Sequence, residues 1–231
     1  MCKVVLNNGK RVGYYYREIP VLYKPEEDYI IVIISSDDRM QENNLMKKGY
    51  YFADRSISLE IAINKWEERV YLENNFYFKV STEWNVEELY QLVKKEFNKD
   101  CRFAVDIKMS DLNLKNELLY NFIVSLRKKN IWATCCYMDN HLVGFNLWGI
   151  QEKKGHIFLG AVSNKYKGTG IAIYIYSCTI QNMKNEGIKI LLDTIFTSNI
   201  QSINLHIMLA KKGEARLKIK KYEDWYKKMK E

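Results

Sequence analysis

Hydrophobic and polar positions along the chain sort into alternating and helical runs, with no low-complexity linker between them. Tyr29–Ser35 is a β-branched apolar run of strand length, the pattern of a buried strand. Asp37 and Asp38 stand where N-caps belong, ahead of a short helix over Arg39–Lys48 that Gly49 ends. Tyr50–Ile63 then returns to strand, with Ile57, Leu59, Ile61 and Ile63 alternating. Together these elements predict a small α/β domain over residues 1–72.

A second unit, residues 73–231, begins with the alternating Phe76, Phe78 and Val80. Thr82 is placed to cap a helix on which Val86, Leu89, Tyr90, Val93 and Phe97 share one face. Leu114–Leu126 predicts another amphipathic helix, with Leu118, Leu119, Phe122, Ile123 and Leu126 inward. Strands at Trp132–Met138, His141–Trp148 and His156–Val162 follow closely, turned by Asp139-Asn140 and by Lys153-Lys154-Gly155, which makes an antiparallel meander. A helix over Gly170–Asn185 closes at Gly187. A strand over Ile188–Thr194, a helix from about Asn199 to Lys211 and a last strand around Ala215–Lys220 complete the order. The strand–helix–strand step from His156–Val162 to Ile188–Thr194 must be parallel and right-handed. The fold class is α/β: a mixed, mostly antiparallel sheet flanked by helices, with a ligand crevice expected at the strand ends.

Charge narrows the partners. The formal net charge is +8, a field that attracts polyanions such as nucleic acid, a nucleotide-sugar, coenzyme A or an acidic carrier protein. Lys211, Lys212, Arg216, Lys218, Lys220, Lys221, Lys227, Lys228 and Lys230 crowd the C-terminal stretch. Leu217, Ile219, Trp225 and Tyr226 lie among them, so the stretch reads as the solvated basic face of a strand and a terminal helix. No helix-turn-helix, finger or aromatic RNA platform is present, and nucleic acid is not the expected partner. No apolar run approaches the roughly 20 residues that span a bilayer, and the first residues lack the apolar stretch of a signal peptide, so a cytosolic protein is expected. Cys2, Cys101, Cys135, Cys136 and Cys178 form no C-x-x-C pair and read as reduced, mostly buried thiols. With only His141, His156 and His206 to help them, no metal is expected.

The chemistry concentrates in Leu159-Gly160-Ala161-Val162-Ser163-Asn164-Lys165-Tyr166-Lys167-Gly168-Thr169-Gly170-Ile171-Ala172. A strand ends, a basic glycine-bearing turn follows and a long helix begins. Unpaired amides and the helix dipole favour an anion there. Gly168 and Gly170 let the backbone approach it, and Lys165 and Lys167 add positive charge. The spacing is neither a Walker loop nor a dinucleotide G-x-G-x-x-G, because position 173 is Ile.

Lys165-Tyr166-Lys167-Gly168-Thr169-Gly170 resembles the acyl-CoA motif of the GNAT superfamily of N-acetyltransferases, Gln/Arg-x-x-Gly-x-Gly/Ala, with Lys in the first position. Asn199-x-x-Ser202-Ile203 is similar to that family's Asn-x-x-Ala-x-x-x-Tyr helix start, and the resemblance covers roughly Phe76–Ile219. It implies an acyl-CoA-dependent N-acyltransferase using acetyl-CoA or another acyl-CoA. Amides from Lys165 through Tyr166, Lys167, Gly168 and Thr169 to Gly170, where the helix opens with Ile171 and Ala172, would hold the pyrophosphate. Gly160, Ala161 and Val162 would pair with pantetheine, beside Asn199 and Ser202, and an amide near Val162 would polarise the thioester carbonyl. Where the family carries the Tyr that protonates the leaving thiolate, this chain has His206, which can also donate a proton near neutral pH. Its helix ends in Ala210-Lys211 rather than in Gly and an apolar residue.

The acceptor is a primary amine that must be neutral to attack, with Asp193 and Asp106 as candidate bases. Tyr166, Tyr174 and Tyr176 are expected to pack or to flank the coenzyme. Met46-Lys47-Lys48-Gly49-Tyr50-Tyr51-Phe52-Ala53-Asp54-Arg55, and the stretch Phe97–Asp106, resemble dTDP-fucosamine acetyltransferases, which implies an amino sugar nucleotide acceptor. Other readings stay open: a natural-product amide-forming enzyme fed by a phosphopantetheine thioester on an acidic acyl or peptidyl carrier protein, or a non-catalytic CoA-binding module. A homodimer is compatible with each.

Overall fold

The computed structural model describes residues 2–5, 11–16, 27–64, 66, 75–97, 112–212 and 218–228. The first part of the chain forms β1 (Cys2–Val5), β2 (Arg11–Tyr16), β3 (Tyr29–Ser35), α1 (Arg39–Lys47) and β4 (Tyr51–Ala62). There follow β5 (Phe76–Ser81), α2 (Val86–Glu96), α3 (Leu112–Lys128), β6 (Trp132–Met138), β7 (His141–Gln151) and β8 (Lys154–Val162). The chain continues with α4 (Ile171–Asn185), β9 (Ile190–Phe196), α5 (Ile200–Lys212) and β10 (Lys218–Lys228).

All ten strands join one sheet, in the order β1-β2-β3-β10-β4-β9-β8-β7-β6-β5. Only β2 with β3 and β8 with β9 pair in parallel. This is the mixed, mostly antiparallel sheet expected, and helices flank it on two faces. Tyr176, Ile180 and Met183 of α4 and Leu209 of α5 pack with Leu59, Ile61, Trp148, Ile157, Leu191 and Ile195 of the sheet. Leu89, Leu92 and Val93 of α2 and Leu119, Ile123 and Leu126 of α3 pack with Ala133, Cys135, Phe145, Leu147 and Ala161. Covered on both sides, β7 is buried without interruption from Val143 to Gly149, as a central strand must be.

Several boundaries differ from the sequence expectation for physical reasons. Helix α2 is capped by Asn85, whose Oδ1 accepts from the amides of Glu87 and Glu88 at 2.9 and 3.2 Å, not by Thr82. The intervening Trp84 is tied down first, its Nε1 donating to the Ile131 carbonyl at 2.7 Å. The second hairpin turns at Glu152-Lys153, with φ of 51° and 61°, one step before the expected Lys153-Lys154-Gly155. Gly155 belongs inside β8, where a Cβ would come within 2.5 Å of the Met183 sulfur. Ile188 and Gly187 donate to Met183 and Lys184, a glycine-closed helix end, so β9 starts at Ile190 and not at Ile188.

The largest correction is at the C-terminal end. The expected terminal helix is instead the strand β10, seated antiparallel between β3 and β4. Both neighbours offer a full edge of unpaired backbone groups, and filling that gap satisfies two rows of hydrogen bonds at once. Strands from before and after the expected boundary thus share one sheet. The expected strand start at Ala215–Leu217, and with it Phe97–Asp106 beyond its first residue, lies outside the described residues.

Trp225 anchors the inserted strand, buried with Ile30, Val32, Ile34, Leu45 and Tyr50, and with Phe52 edge-on at 5.8 Å. Trp225→Ala is expected to lower the unfolding free energy by about 3–5 kcal/mol, read from chemical denaturation.

Candidate active site

Strands β8 and β9 hold each other at only two register positions, Gly155 with Leu191 and His156 with Leu192. Directly beyond, β8 carries a bulge. Trp148 of β7 faces Ile157 while Leu147 faces Leu159, which leaves Phe158 as the extra residue. A bulge bends and twists its strand, and past it the two strands part. Leu159–Val162 pair with β7 alone, and Asp193–Phe196 pair with β4 alone. The sheet thus has a wedge in its middle, with one backbone edge of each strand facing the gap. Gly160, Ala161 and Val162, the three residues expected to meet an extended ligand, lie along one side of it.

The turn at the wedge mouth is short of intramolecular partners. Asn164–Tyr166 form a single 3₁₀ turn, after which Gly168 and Gly170 take φ of 81° and 90°. Among the described residues, the amides of Gly168, Gly170, Ile171 and Ala172 make no hydrogen bond. Thr169 is used locally, its hydroxyl donating to the Tyr166 carbonyl at 2.7 Å. A Cβ at Gly168 would meet nothing within 4 Å, so the space before the turn is open. Lys165 and Lys167 are exposed beside it, Lys165 Nζ lying 5.3 Å from the Tyr166 ring centre.

The helix starts make the contrast clear. Helices α1, α2 and α5 each have a side chain at the cap: Asp38 accepts from Gln41, Asn85 from Glu87 and Glu88, and Asn199 from Ser202. Helix α4 has none; Gly170 in a left-handed conformation stands at its cap. The free amides and the positive end of the dipole are therefore left for an anion from outside the chain.

Below the point where the strands part, the polar residues of α4, β9 and α5 converge. His206 Nε2 lies 2.6 Å from Asp193 Oδ2, and Tyr176 donates its hydroxyl to the same oxygen at 2.9 Å. His206 Nδ1 lies 2.7 Å from the Ser202 carbonyl. A carbonyl can only accept, so Nδ1 carries hydrogen, and the contact of Nε2 with a carboxylate favours a second one, which is the imidazolium form. Burial alone lowers the His206 pKa, but the Asp193 charge, its hydrogen bond and the Ser202 carbonyl outweigh it and hold the ring above its ordinary value. Burial, then Asp193, drives the Tyr176 phenol well above its ordinary value. His206 is 1% exposed, and both its nitrogens are engaged inside the chain.

The structure thus brings His206 and Asp193 together, with Ser202 one turn before His206 on α5 and Asn199 at the cap of that helix. Among the described residues no hydrogen bond joins them to Lys165–Ala172; Tyr176, further along α4, is what reaches Asp193. Asp106 lies outside the described residues. Two buried residues carry no sequence signal of their own. Asn146 of β7 reaches Gly160, where any Cβ would strike its Oδ1, and donates to Thr179 at 3.4 Å. Tyr176 stood out only as one of several helix tyrosines. No group of metal-ligating side chains occurs among the described residues, and no helix there is long and apolar enough to cross a membrane.

The fold is that of the GNAT N-acetyltransferases. A GCN5-related N-acetyltransferase from Sphaerobacter thermophilus superposes with a TM-score of 0.60 at 15% identity, over 86% of this chain and 59% of that one. A tandem GNAT protein from the clavulanic acid biosynthesis pathway gives 0.60 at 6% identity, over 87% and 64%. The GCN5-related glucosamine N-acetyltransferase region of a fungal multi-domain GH3 β-N-acetylglucosaminidase gives 0.62 at 11% identity, over 97% and 30%. The chain accordingly spans less than two thirds of each of these three structures. No family model and no curated protein matches the sequence.

The buried pair makes stability depend on pH. Because the folded His206 pKa is raised, its contribution is complete below the unfolded value of 6.5 and is lost as pH rises through the folded value. Thermal melts from pH 6 upward are expected to show this decline. Asp193→Asn is expected to remove the slope and to cost about 3–5 kcal/mol at pH 6.

Proposed function

We propose that this chain is an acyl-CoA-dependent N-acyltransferase that acylates the primary amine of a small molecule. The observation that carries the reading is the uncapped, amide-rich start of α4 at the mouth of a wedge in the sheet. The residues fit coenzyme A on this chain's own terms. Gly168, Gly170, Ile171 and Ala172 offer free amides to a pyrophosphate, with Lys165 and Lys167 beside them. Gly160, Ala161 and Val162 offer a backbone edge to the two amides of pantetheine, as an added strand would be met. When bound, acetyl-CoA supplies an acyl carbon activated for attack by an amine.

An amino sugar, free or nucleotide-linked, is the acceptor we propose. Two things support it: the likeness of Met46–Arg55 to amino sugar acetyltransferases, and the glucosamine N-acetyltransferase region among the similar structures. For the proton steps His206 and Asp193 are the proposed acid and base, and Asn199 lies beside the coenzyme. Asp193 holds the His206 proton in place until it is needed.

Calorimetry is expected to show coenzyme A binding, and Gly170→Val to weaken it about tenfold or more, because a β-branched residue resists the left-handed conformation and shields the amides. Thiol release from acetyl-CoA with glucosamine and a dTDP-linked amino sugar is expected with the parent. An absence of coenzyme binding would sink the proposal. If His206 delivers the proton, His206→Phe lowers kcat by about 10²–10⁴-fold with coenzyme affinity retained. Unchanged turnover assigns the ring to packing alone.

A further inference from the structure

The wedge has two lips, and only one is formed by the α4 turn. The other is the connection from β9 to α5, residues Thr197–Asn199, and it is held by a residue from the opposite end of the sequence. Asp54 of β4 is 4% exposed. Its Oδ2 accepts the Ser198 hydroxyl at 2.8 Å, and its Oδ1 accepts the Thr197 hydroxyl at 3.3 Å and the Arg55 amide at 2.7 Å. The backbone reinforces the contact, Thr197 N donating to the Arg55 carbonyl at 2.7 Å. Among the described residues no cation pairs with this carboxylate.

A buried carboxylate held only by neutral donors is costly unless its hydrogen bonds are well formed. Its partners here are the two residues that precede Asn199. Asn199 spends its Oδ1 on the Ser202 amide and its backbone N–H on the Phe196 carbonyl, which leaves its side-chain Nδ2 donors without a partner among the described residues. The direction of those donors therefore follows from where the turn is fixed. At the closed end of the wedge a different contact spans β9: Lys154 of β8 meets Glu60 of β4 at 3.2 Å. One ion pair ties the strands where they touch, and Asp54 ties β9 back where they part.

We propose that Asp54 is a positioning residue for the β9 lip of the crevice: through Thr197 and Ser198 it fixes the turn that presents Asn199 and the first turn of α5. This rests on the reading of the crevice as the coenzyme A site. The N-terminal strands thereby take part in ligand binding without touching the ligand.

Calorimetric titration of the full chain with coenzyme A tests it, with thermal melts of each variant. Asp54→Asn is expected to raise the Kd about tenfold, because it weakens both hydroxyl contacts, and Ser198→Ala about threefold, because the Thr197 contact remains. Ser198→Ala, which leaves the Asp54 carboxylate one donor short, is expected to melt lower than the parent yet to stay folded at the titration temperature. Glu60→Gln, at the closed end, is expected to bind as the parent does even if it melts lower. Should Asp54→Asn fail to fold, Ser198→Ala decides alone. Parent-like binding by Ser198→Ala and by any folded Asp54→Asn overturns the positioning role and leaves the coenzyme reading standing. A parent that does not bind coenzyme A overturns both.

Discussion

Two register positions join β8 to β9, and what the molecule can do depends on the pairing stopping there. A parallel pair that ran the length of both strands would satisfy its backbone groups internally and leave no opening. The bulge at Phe158 turns β8 away after His156, and the strands are then held apart from outside, β8 by β7 and β9 by β4. The opening is thus a property of neighbouring strands and not of a loop. Rigid walls on both sides keep backbone edges available at the point where the chain reverses through α4.

The crossovers through α1 and through α4 solve the same geometric problem in opposite ways. From β3 through α1 to β4 the gap is filled by β10, and Asp38 caps the helix. From β8 through α4 to β9 the gap is open, and no side chain caps the helix. Open gap and bare helix start occur together, and both leave hydrogen-bonding groups for an external partner. In the filled crossover the chain's own strand plays that part.

A buried acid–histidine pair lies under the open gap. The Asp193–His206 pair joins β9 to α5, and Tyr176 brings α4 onto the same carboxylate. The two helices that border the crevice are therefore fastened to one side chain on the strand that parts from β8. Such a pair is an expensive way to hold two helices, since apolar residues would serve stability as well. Its directionality is what an apolar contact lacks.

Local chemistry was legible in the sequence: the α/β class, the meander, the glycines at 168 and 170, the closing glycine at 187 and the helix start near Asn199 all follow from residue types acting on their own neighbours. Asp139-Asn140 could be read as a tight turn for the same reason, whereas Glu152-Lys153 could not, because neither residue favours a positive φ and the strands impose it. The C-terminal stretch read as strand and helix, since nothing near Trp225 says that two strand edges await it. The same limit applies to the site. Lys165–Ala172 is contiguous and announced itself as an anion turn. The partnership of His206 with Asp193, the Asn146 amide beneath Gly160 and the hold of Asp54 on Thr197 and Ser198 join residues up to 144 positions apart. Such contacts exist only once the sheet has formed. The sequence by itself determined that a basic, glycine-bearing turn opens α4, because those residues act on their own neighbours; the tertiary structure decided that a wedge stands open beside it and which side chains hold that wedge.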